Sequence, residues 1–308
     1  MRVVTLNQNH QRSRYLLGVA VLTAAFALGA KAQQTQIVLL GTGTPYPDPQ
    51  ASGPATVVTV GKRVFLFDAG VGVMRQLNAA KLPISGPEAV FITHLHSDHT
   101  LGYADLILTS WIMRRRFLLP VYGPHGLLRM TNHLLAAFSE DIEIRTRGLE
   151  REIPGGYRVR VHEIRPGVVY DRDGVRVTAV LVPHGSWKEA YAYRIDTPDR
   201  SIVISGDTRP SESLITASKG VDTLIHEVYL STHLAPEDRP GGKFWPQYMR
   251  AFHTSAVELG AIAARVRPTL LILTHTIRFG GTDEELLAGI RQGGYTGSVV
   301  VGKDLARY

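Results

Sequence analysis

The 308-residue sequence predicts a layered α/β domain. Short β-branched runs alternate with stretches of helical periodicity, and turn signals join several of the runs into hairpins. That alternation suits sheets covered by helices. A hydrophobic fraction of 44% with 20% charged residues is enough for a sizeable core. After residue 32 no Pro/Ser-rich linker, low-complexity tract or repeat divides the chain, so a single domain over 33–308 is expected.

Taken in order, strands are expected at 37–40, 55–60, 64–67 and 89–93, each a dense apolar run. Further runs lie at 157–164, 175–182, 190–195, 202–205, 223–226, 270–274 and 298–301. Gly61-Lys62, Asp173-Gly174 and Pro198-Asp199 supply the turns between several of them. Helical patterns occupy 71–80, 100–113, 127–138, 211–218, 255–266 and 283–292.

The first 32 residues are different in kind. Arg2, Arg12 and Arg14 precede the apolar run from Leu16 to Ala30, which ends in the small-x-small triplet Ala30-Lys31-Ala32. This pattern predicts a secretory signal peptide over 1–32, cut after Ala32, and a periplasmic or secreted mature protein. The apolar run is shorter than the roughly 20 residues of a spanning helix, so a membrane anchor is the lesser reading and no membrane partner is expected after cleavage.

Removing the four basic residues of this segment lowers the formal net charge from +7 to +3, which weakens the basic pI as an argument for nucleic acid. Arg114-Arg115-Arg116 is the one dense basic run, and a solvated helix end explains it as well as a phosphate site does. With no cysteine in the chain, no disulfide holds an exported protein together, and side-chain metal ligands must be nitrogen or oxygen.

The chemistry is concentrated in VFITHLHSDHT, residues 90–100, where His94, His96, Asp98 and His99 leave an apolar strand together. His94 and His96 alternate and share one side of an extended loop, while Asp98 and His99 begin the next helix. The spacing suits two metal ions close together, and chance seldom produces it. Three more candidates each follow an apolar run: His184 in TAVLVPHG, Asp207 in SIVISGDT and His275 in TLLILTHT. They would converge on one rim of a sheet.

HLHSDH, with FDAG at 67–70, PHG at 183–185, SGDT at 205–208 and LTH at 273–275, resembles the metallo-β-lactamase superfamily of dinuclear hydrolases. Within it, LLGTGTPYPDPQ, YGP at 122–124, HEVY at 226–229 and FHTSAVELGAIAA at 252–264 resemble the ribonuclease Z and arylsulfatase-like branch. The resemblance covers about 39–305 and implies a four-layer αββα sandwich. It implies that His94, His96 and His184 hold one metal, that Asp98, His99 and His275 hold the other, and that Asp207 bridges them. Asp68 would orient a ligand histidine. Two zinc ions are the expected cofactors, with manganese or iron as alternatives.

The same resemblance implies a water activated between two dications as nucleophile. Asp98 would orient it and pass on a proton, and Glu227 would hold His253 toward an anionic or leaving oxygen. GTGT at 41–44 lacks the marks of a nucleotide loop and reads as a tight turn near the rim. No Gly- and basic-rich arm stands between Gly123 and His184, which departs from the transfer-RNA enzymes of the branch. Phe244, Trp245 and Tyr248 instead suggest an aromatic pocket wall, joined by Trp187 and Tyr191.

The expectation is therefore an exported dinuclear zinc-dependent hydrolase that cleaves a small anionic ester, a sulfate ester or a phosphodiester. Nucleic acid is set aside as a partner, and a second copy of the chain is a further candidate. A ribonuclease Z-like endoribonuclease, a lactonase and a non-catalytic metal-binding protein are the alternatives.

Overall fold

The computed structural model describes residues 34–308, so the expected leader over 1–32 lies outside the described residues. β1 (Thr35–Gly41), β2 (Ala55–Val60), β3 (Arg63–Phe67), β4 (Ala89–Phe91), β5 (Leu119–Gly123) and β6 (Val159–Glu163) form one sheet in chain order. Its first three strands are antiparallel, and β3 to β6 run parallel. β7 (Gly167–Arg172), β8 (Val175–Leu181), β9 (Tyr191–Asp196), β10 (Ser201–Ile204), β11 (Thr223–Tyr229), β12 (Leu270–Ile277) and β13 (Ser298–Val301) form the second. Here the hairpins come first, and β10 to β13 are parallel.

The helices are α1 (Val73–Ala79), α2 (Ser97–Thr100), α3 (Tyr103–Ile112), α4 (Leu127–Ala137), α5 (Ser139–Arg147), α6 (Glu212–Ala217), α7 (Trp245–Phe252), α8 (Ala256–Val266) and α9 (Asp283–Gln292). Side chains alternate across a strand. β1 therefore sends Val38 and Leu40 into a core shared with α1 and α3, and Ile37 and Leu39 into a core between the sheets. In the second sheet, Ile202 and Ile272 meet that same central core, while Val203, Leu271 and Leu273 face α6, α8 and α9. Three apolar cores thus separate four layers, the expected αββα sandwich.

Four elements escaped the pattern reading. β5 is an interior strand that carries Pro120, a residue that argues against such a position because it cannot donate to the ladder. β7 is a half-exposed edge strand entered through Gly167. α5 has almost no apolar stripe and is held by charge: Asp141 with Arg145 and Glu143 with Arg147, each one helical turn apart. α7 opens on Trp-Pro, with the proline in the first turn, where its missing N–H is harmless.

The basic run also resolves differently. Arg114 and Arg116 are exposed, but Arg115 is fully buried. Its guanidinium donates to the carbonyls of Gly156 and Ile107 and to Ser110 Oγ, closing the end of α3 against the loop before β6.

Phe91 sits at the centre of the inter-sheet core, stacked on Phe67 at 4.9 Å and on Tyr122 at 5.1 Å, with no exposed surface. Phe91→Ala should lower the unfolding free energy by about 3–5 kcal/mol. Denaturant titration checks it, and a loss below about 1 kcal/mol would contradict this account of the core.

Candidate metal centre

Chain ends of strands bring the site together. β4 stops at Phe91, and the next residues pass into His94 and His96 before Asp98 and His99 enter α2. β8, β10 and β12 deliver His184, Asp207 and His275 from the second sheet. All seven predicted ligands meet, and six are buried, with His96 partly so. The cluster is not a solvated loop.

The first group is His94, His96 and His184. His94 Nε2 lies 3.0 Å from His96 Nδ1, and His184 Nε2 lies 3.1 Å from the same atom. Each ring is held from behind. Thr93 Oγ1 is 3.0 Å from His94 Nδ1, the Phe252 carbonyl is 2.7 Å from His184 Nδ1, and the Trp187 indole donates to His96 Nε2 at 2.8 Å. Gly185 makes the Phe252 contact feasible: its φ is +53°, and a Cβ there would sit 1.9 Å from the Phe252 ring.

The second group is Asp98, His99 and His275. Asp98 Oδ2 is 3.1 Å from His275 Nε2 and 3.5 Å from His99 Nε2. His275 has φ +44° at a register shift between β11 and β12, a bulge that takes it out of strand alternation. Asp68 carries the other face of His99, 2.8 Å from Nδ1, and also accepts from the backbone N–H and hydroxyl of Thr93. It therefore positions ligands of both groups.

Asp207 stands between them. Oδ1 is 3.4 Å from His99 Nε2, while Oδ2 is 3.6 Å from His275 Nε2, 3.9 Å from His94 Nε2 and 4.0 Å from His184 Nε2. These separations exceed a hydrogen bond, and His99 Nε2 is buried with no partner at all. A buried orphan nitrogen among carboxylates, beside groups whose own nitrogen and oxygen donors each lie within 4.8 Å of one another, suits a dinuclear centre of divalent ions.

Protonation favours ligation at the first group. Burial pushes His96 and His184 down to about 4 and holds His94 well below its ordinary value, so their lone pairs are free near neutral pH. At the second group burial opposes charge, but Asp207, with Asp68 beside His99 and Asp98 beside His275, holds both imidazoles above their ordinary value. Burial likewise works against ionised Asp207, yet His275 and His99 keep it well below the usual carboxylate range.

Glu227 and His253 also come together. His253 Nδ1 lies 3.4 Å from Glu227 Oε2 and 3.9 Å from Asp207 Oδ2. Glu227 Oε1 accepts from the backbone N–H groups of Thr254 and Thr208. Burial, then the charge of Asp207, raises Glu227 well above the ordinary range, and burial lowers His253 to about 4, which leaves its imidazole neutral near pH 7. Asp207, His253 and His275 themselves form a close group, which makes His253 a geometric candidate for a ligand too.

His96, Asp98, Asp207, His253 and His275 line a cavity of about 1310 Å³. Trp245 and Tyr248 line it as expected, but the other three aromatics do not. Trp187 packs on His96 at 5.0 Å, Tyr191 is buried in the core with its hydroxyl on the Ile164 carbonyl, and Phe244 is turned to solvent. Sequence reasoning gave no role to Thr93 or Phe252, and it placed Trp187 in the pocket wall rather than behind His96. Their one signal was adjacency to predicted ligands.

Elemental analysis of the purified protein should find close to two transition-metal ions per chain. Asp207→Ala should lower that number, and Asp68→Asn should weaken metal affinity about 10–100-fold while leaving the ligands themselves in place. Gently purified protein without metal, unable to take it up on titration, would refute the dinuclear reading.

The family model described as the beta-lactamase superfamily domain matches residues 63–276. Ribonuclease Z of Mycobacterium bovis (strain BCG / Pasteur 1173P2) is 33% identical over 278 residues, which cover 88% of this chain and 97% of that one. Human tRNase Z, short form, superposes with a TM-score of 0.65 at 21% identity, covering 89% of this chain and 98% of that one. The metallo-β-lactamase fold protein YhfI of Bacillus subtilis gives 0.66 at 20% identity, with the same coverage. These two structures show the fold. The relatives correct one expectation: a small anionic ester as partner, with nucleic acid set aside, conflicts with relatives that are ribonucleases. That expectation rested on a missing arm, which removes a gripping surface but leaves the metal rim intact. The sulfate-ester reading gains no support from the relatives either. The chain belongs to the metallo-β-lactamase superfamily and, by the extent of its match to ribonuclease Z, to that branch of its hydrolases.

Proposed function

We propose that the chain is a metal-dependent endoribonuclease of the ribonuclease Z type, which hydrolyses a phosphodiester bond in RNA. The observation that carries this reading is the seven-residue His/Asp cluster beside a 1310 Å³ cavity, in a chain that spans nearly the whole length of a ribonuclease Z relative. A drug-sized ligand fills roughly 300–1,000 Å³, so a polymer segment suits the space better than a small ester.

His94, His96 and His184 would hold one divalent ion, Asp98, His99 and His275 the other, and Asp207 both; zinc suits these donors. Bound there, the ions would polarise the phosphodiester oxygens and offset the charge that develops in the transition state. The protein's own groups do the rest. Asp98 is an ionised carboxylate at the cavity wall: burial opposes its charge, but the contacts with His275 and His99 outweigh it. It takes up the proton of an attacking water. His253 is a neutral imidazole at the same wall, 3.4 Å from Glu227, and donates a hydrogen bond to the departing oxygen, while Asp98 returns the water's proton to that oxygen as it leaves. Glu227 is fixed in turn by the Thr208 and Thr254 amides.

Export of the mature chain is part of the same proposal, supported by the basic start, apolar run and Ala30-Lys31-Ala32 triplet. Mass spectrometry of protein recovered outside the cytoplasm should show Gln33 as the first residue. An intact Met1 form confined to the cytoplasm would refute it.

His253→Ala should keep both metal ions and the fold. Cleavage of RNA, whose leaving oxygen is poor, should fall by about 10²–10⁴-fold, against a smaller loss on an activated aryl phosphodiester. Glu227→Gln should give a weaker form of the same pattern, since the glutamine oxygen can still accept from the Thr208 and Thr254 amides. Equal losses on both substrates, or loss of a metal ion from His253→Ala, would make His253 structural or a ligand instead.

A further inference from the structure

Three loops reach the cavity beyond the metal rim, and each brings one side chain with no other visible task. The loop between β1 and β2 brings Tyr46, which is 75% exposed although it lines a cavity. The segment after β12 brings Phe279, and the stretch after β13 brings Lys303.

The other aromatics at the cavity are already spoken for on their faces. Trp245 stacks on Tyr248 at 5.0 Å and Tyr248 on Phe252 at 4.1 Å. Arg239 lies 5.2 Å from the Trp245 ring centre. This ladder closes a wall; a planar ligand finds no open face on Tyr248. Tyr46 is the aromatic whose faces solvent can reach. Its loop is nevertheless firmly anchored: Asp304 accepts from the N–H and hydroxyl of Thr42, the N–H of Ser52 and the amide of Gln76, at 2.7–2.9 Å. An exposed ring on a fixed base has little entropy left to lose on contact.

Phe279 adds a second oddity. Its φ is +51°, a left-handed backbone that a bulky residue rarely adopts and that persists where the surroundings enforce it. That strain holds the ring edge-on to Trp245 at 6.3 Å. Of the two cations at the cavity, Arg278 is tied to Asp283 at 2.7 Å, whereas Lys303 is exposed and makes no ion pair among the described residues. Two aromatic rings and a free ammonium are the chemistry of a single-stranded nucleotide: a base with a π-face and a phosphate.

We infer that Tyr46, Phe279 and Lys303 form a nucleotide subsite, in which Tyr46 stacks on the base next to the scissile bond, Phe279 flanks it and Lys303 receives the neighbouring phosphate. The inference rests on the ribonuclease reading and adds to it the residues that hold the nucleotide beside the cut bond. The subsite reads a flat ring of any base and a charge, so it predicts a strong preference for single-stranded RNA with weak sequence preference.

The test uses metal-loaded protein and short single-stranded oligoribonucleotides that carry either a base or an abasic site at each position flanking the cleaved bond. The readout is the ratio of kcat/KM on the base-bearing to that on the abasic substrate. Stacking of one base corresponds to about 1–3 kcal/mol, so the wild-type ratio should be on the order of 5 to 150 at one position. Tyr46→Ala should bring it close to one, Tyr46→Phe should keep it, and Phe279→Leu should lower it in part. Lys303→Ala should leave the ratio and reduce the slope of log kcat/KM against log salt by about one. A wild-type ratio near one, or equal losses on both substrates in Tyr46→Ala, overturns the subsite alone. A wild-type protein that cleaves no RNA yet hydrolyses an aryl phosphodiester overturns the ribonuclease reading and the subsite with it.

Discussion

Everything at the rim depends on Asp207, a carboxylate 3% exposed and surrounded by imidazoles from both sheets. Burying an unpaired carboxylate is unfavourable by several kcal/mol, and the protein offsets that mainly through His275 and His99, the two imidazoles held above their ordinary value, with His94 and His184 also within 4 Å. Those four come from the segments after β4 and β8 and from within β12. The αββα arrangement is what allows strands of two sheets to end at one place, with the central core of Phe67, Phe91 and Tyr193 directly beneath.

The backbone bends where the ligands need it. Asp68 at φ +60° and His275 at φ +44° both occupy left-handed positions that β-branched residues would not accept. Gly206, beside Asp207, has φ +57°, and a Cβ there would meet the Tyr191 carbonyl at 2.7 Å. Such strain of a few kcal/mol survives because the strands on either side are packed without freedom to relax. Site and core are one construction: Thr93 links them, with its backbone N–H and hydroxyl on Asp68 and its hydroxyl beside His94.

The clustering of the seven His and Asp side chains was legible in the sequence because each follows an apolar run, and polar residues at strand ends are conspicuous against it. The layers were legible for the same reason, since alternation within runs such as IVLL already sorts side chains between two cores. What stayed hidden depended on distance in the chain. Nothing near Trp187 says that its indole meets His96, and nothing in FHTS says that the Phe252 carbonyl reaches His184 across 68 residues. α5 was hidden because ion pairs rather than an apolar face hold it, and β5 because Pro120 argues against the interior place it takes. The substrate was misjudged for a different reason. A missing arm and an expected leader bear on how RNA is gripped and where the chain goes, and neither alters what the proposed metal rim can cleave.

Charge explains why an anion belongs there. The histidines of the first group are neutral near pH 7, so the negative charge of the proposed ligand set is that of Asp98 and Asp207. Two divalent ions held there would exceed both carboxylates, and the surplus would be positive, buried and little screened by salt. A phosphodiester, singly negative and with a poor leaving oxygen, meets both needs. It would neutralise the surplus, and it has use for the neutral His253 imidazole at the cavity wall, which offers a hydrogen-bond donor without positive charge. A neutral ester would leave the surplus unbalanced. The residues that make Asp207 tolerable in the core thus also select the charge of what the cavity receives.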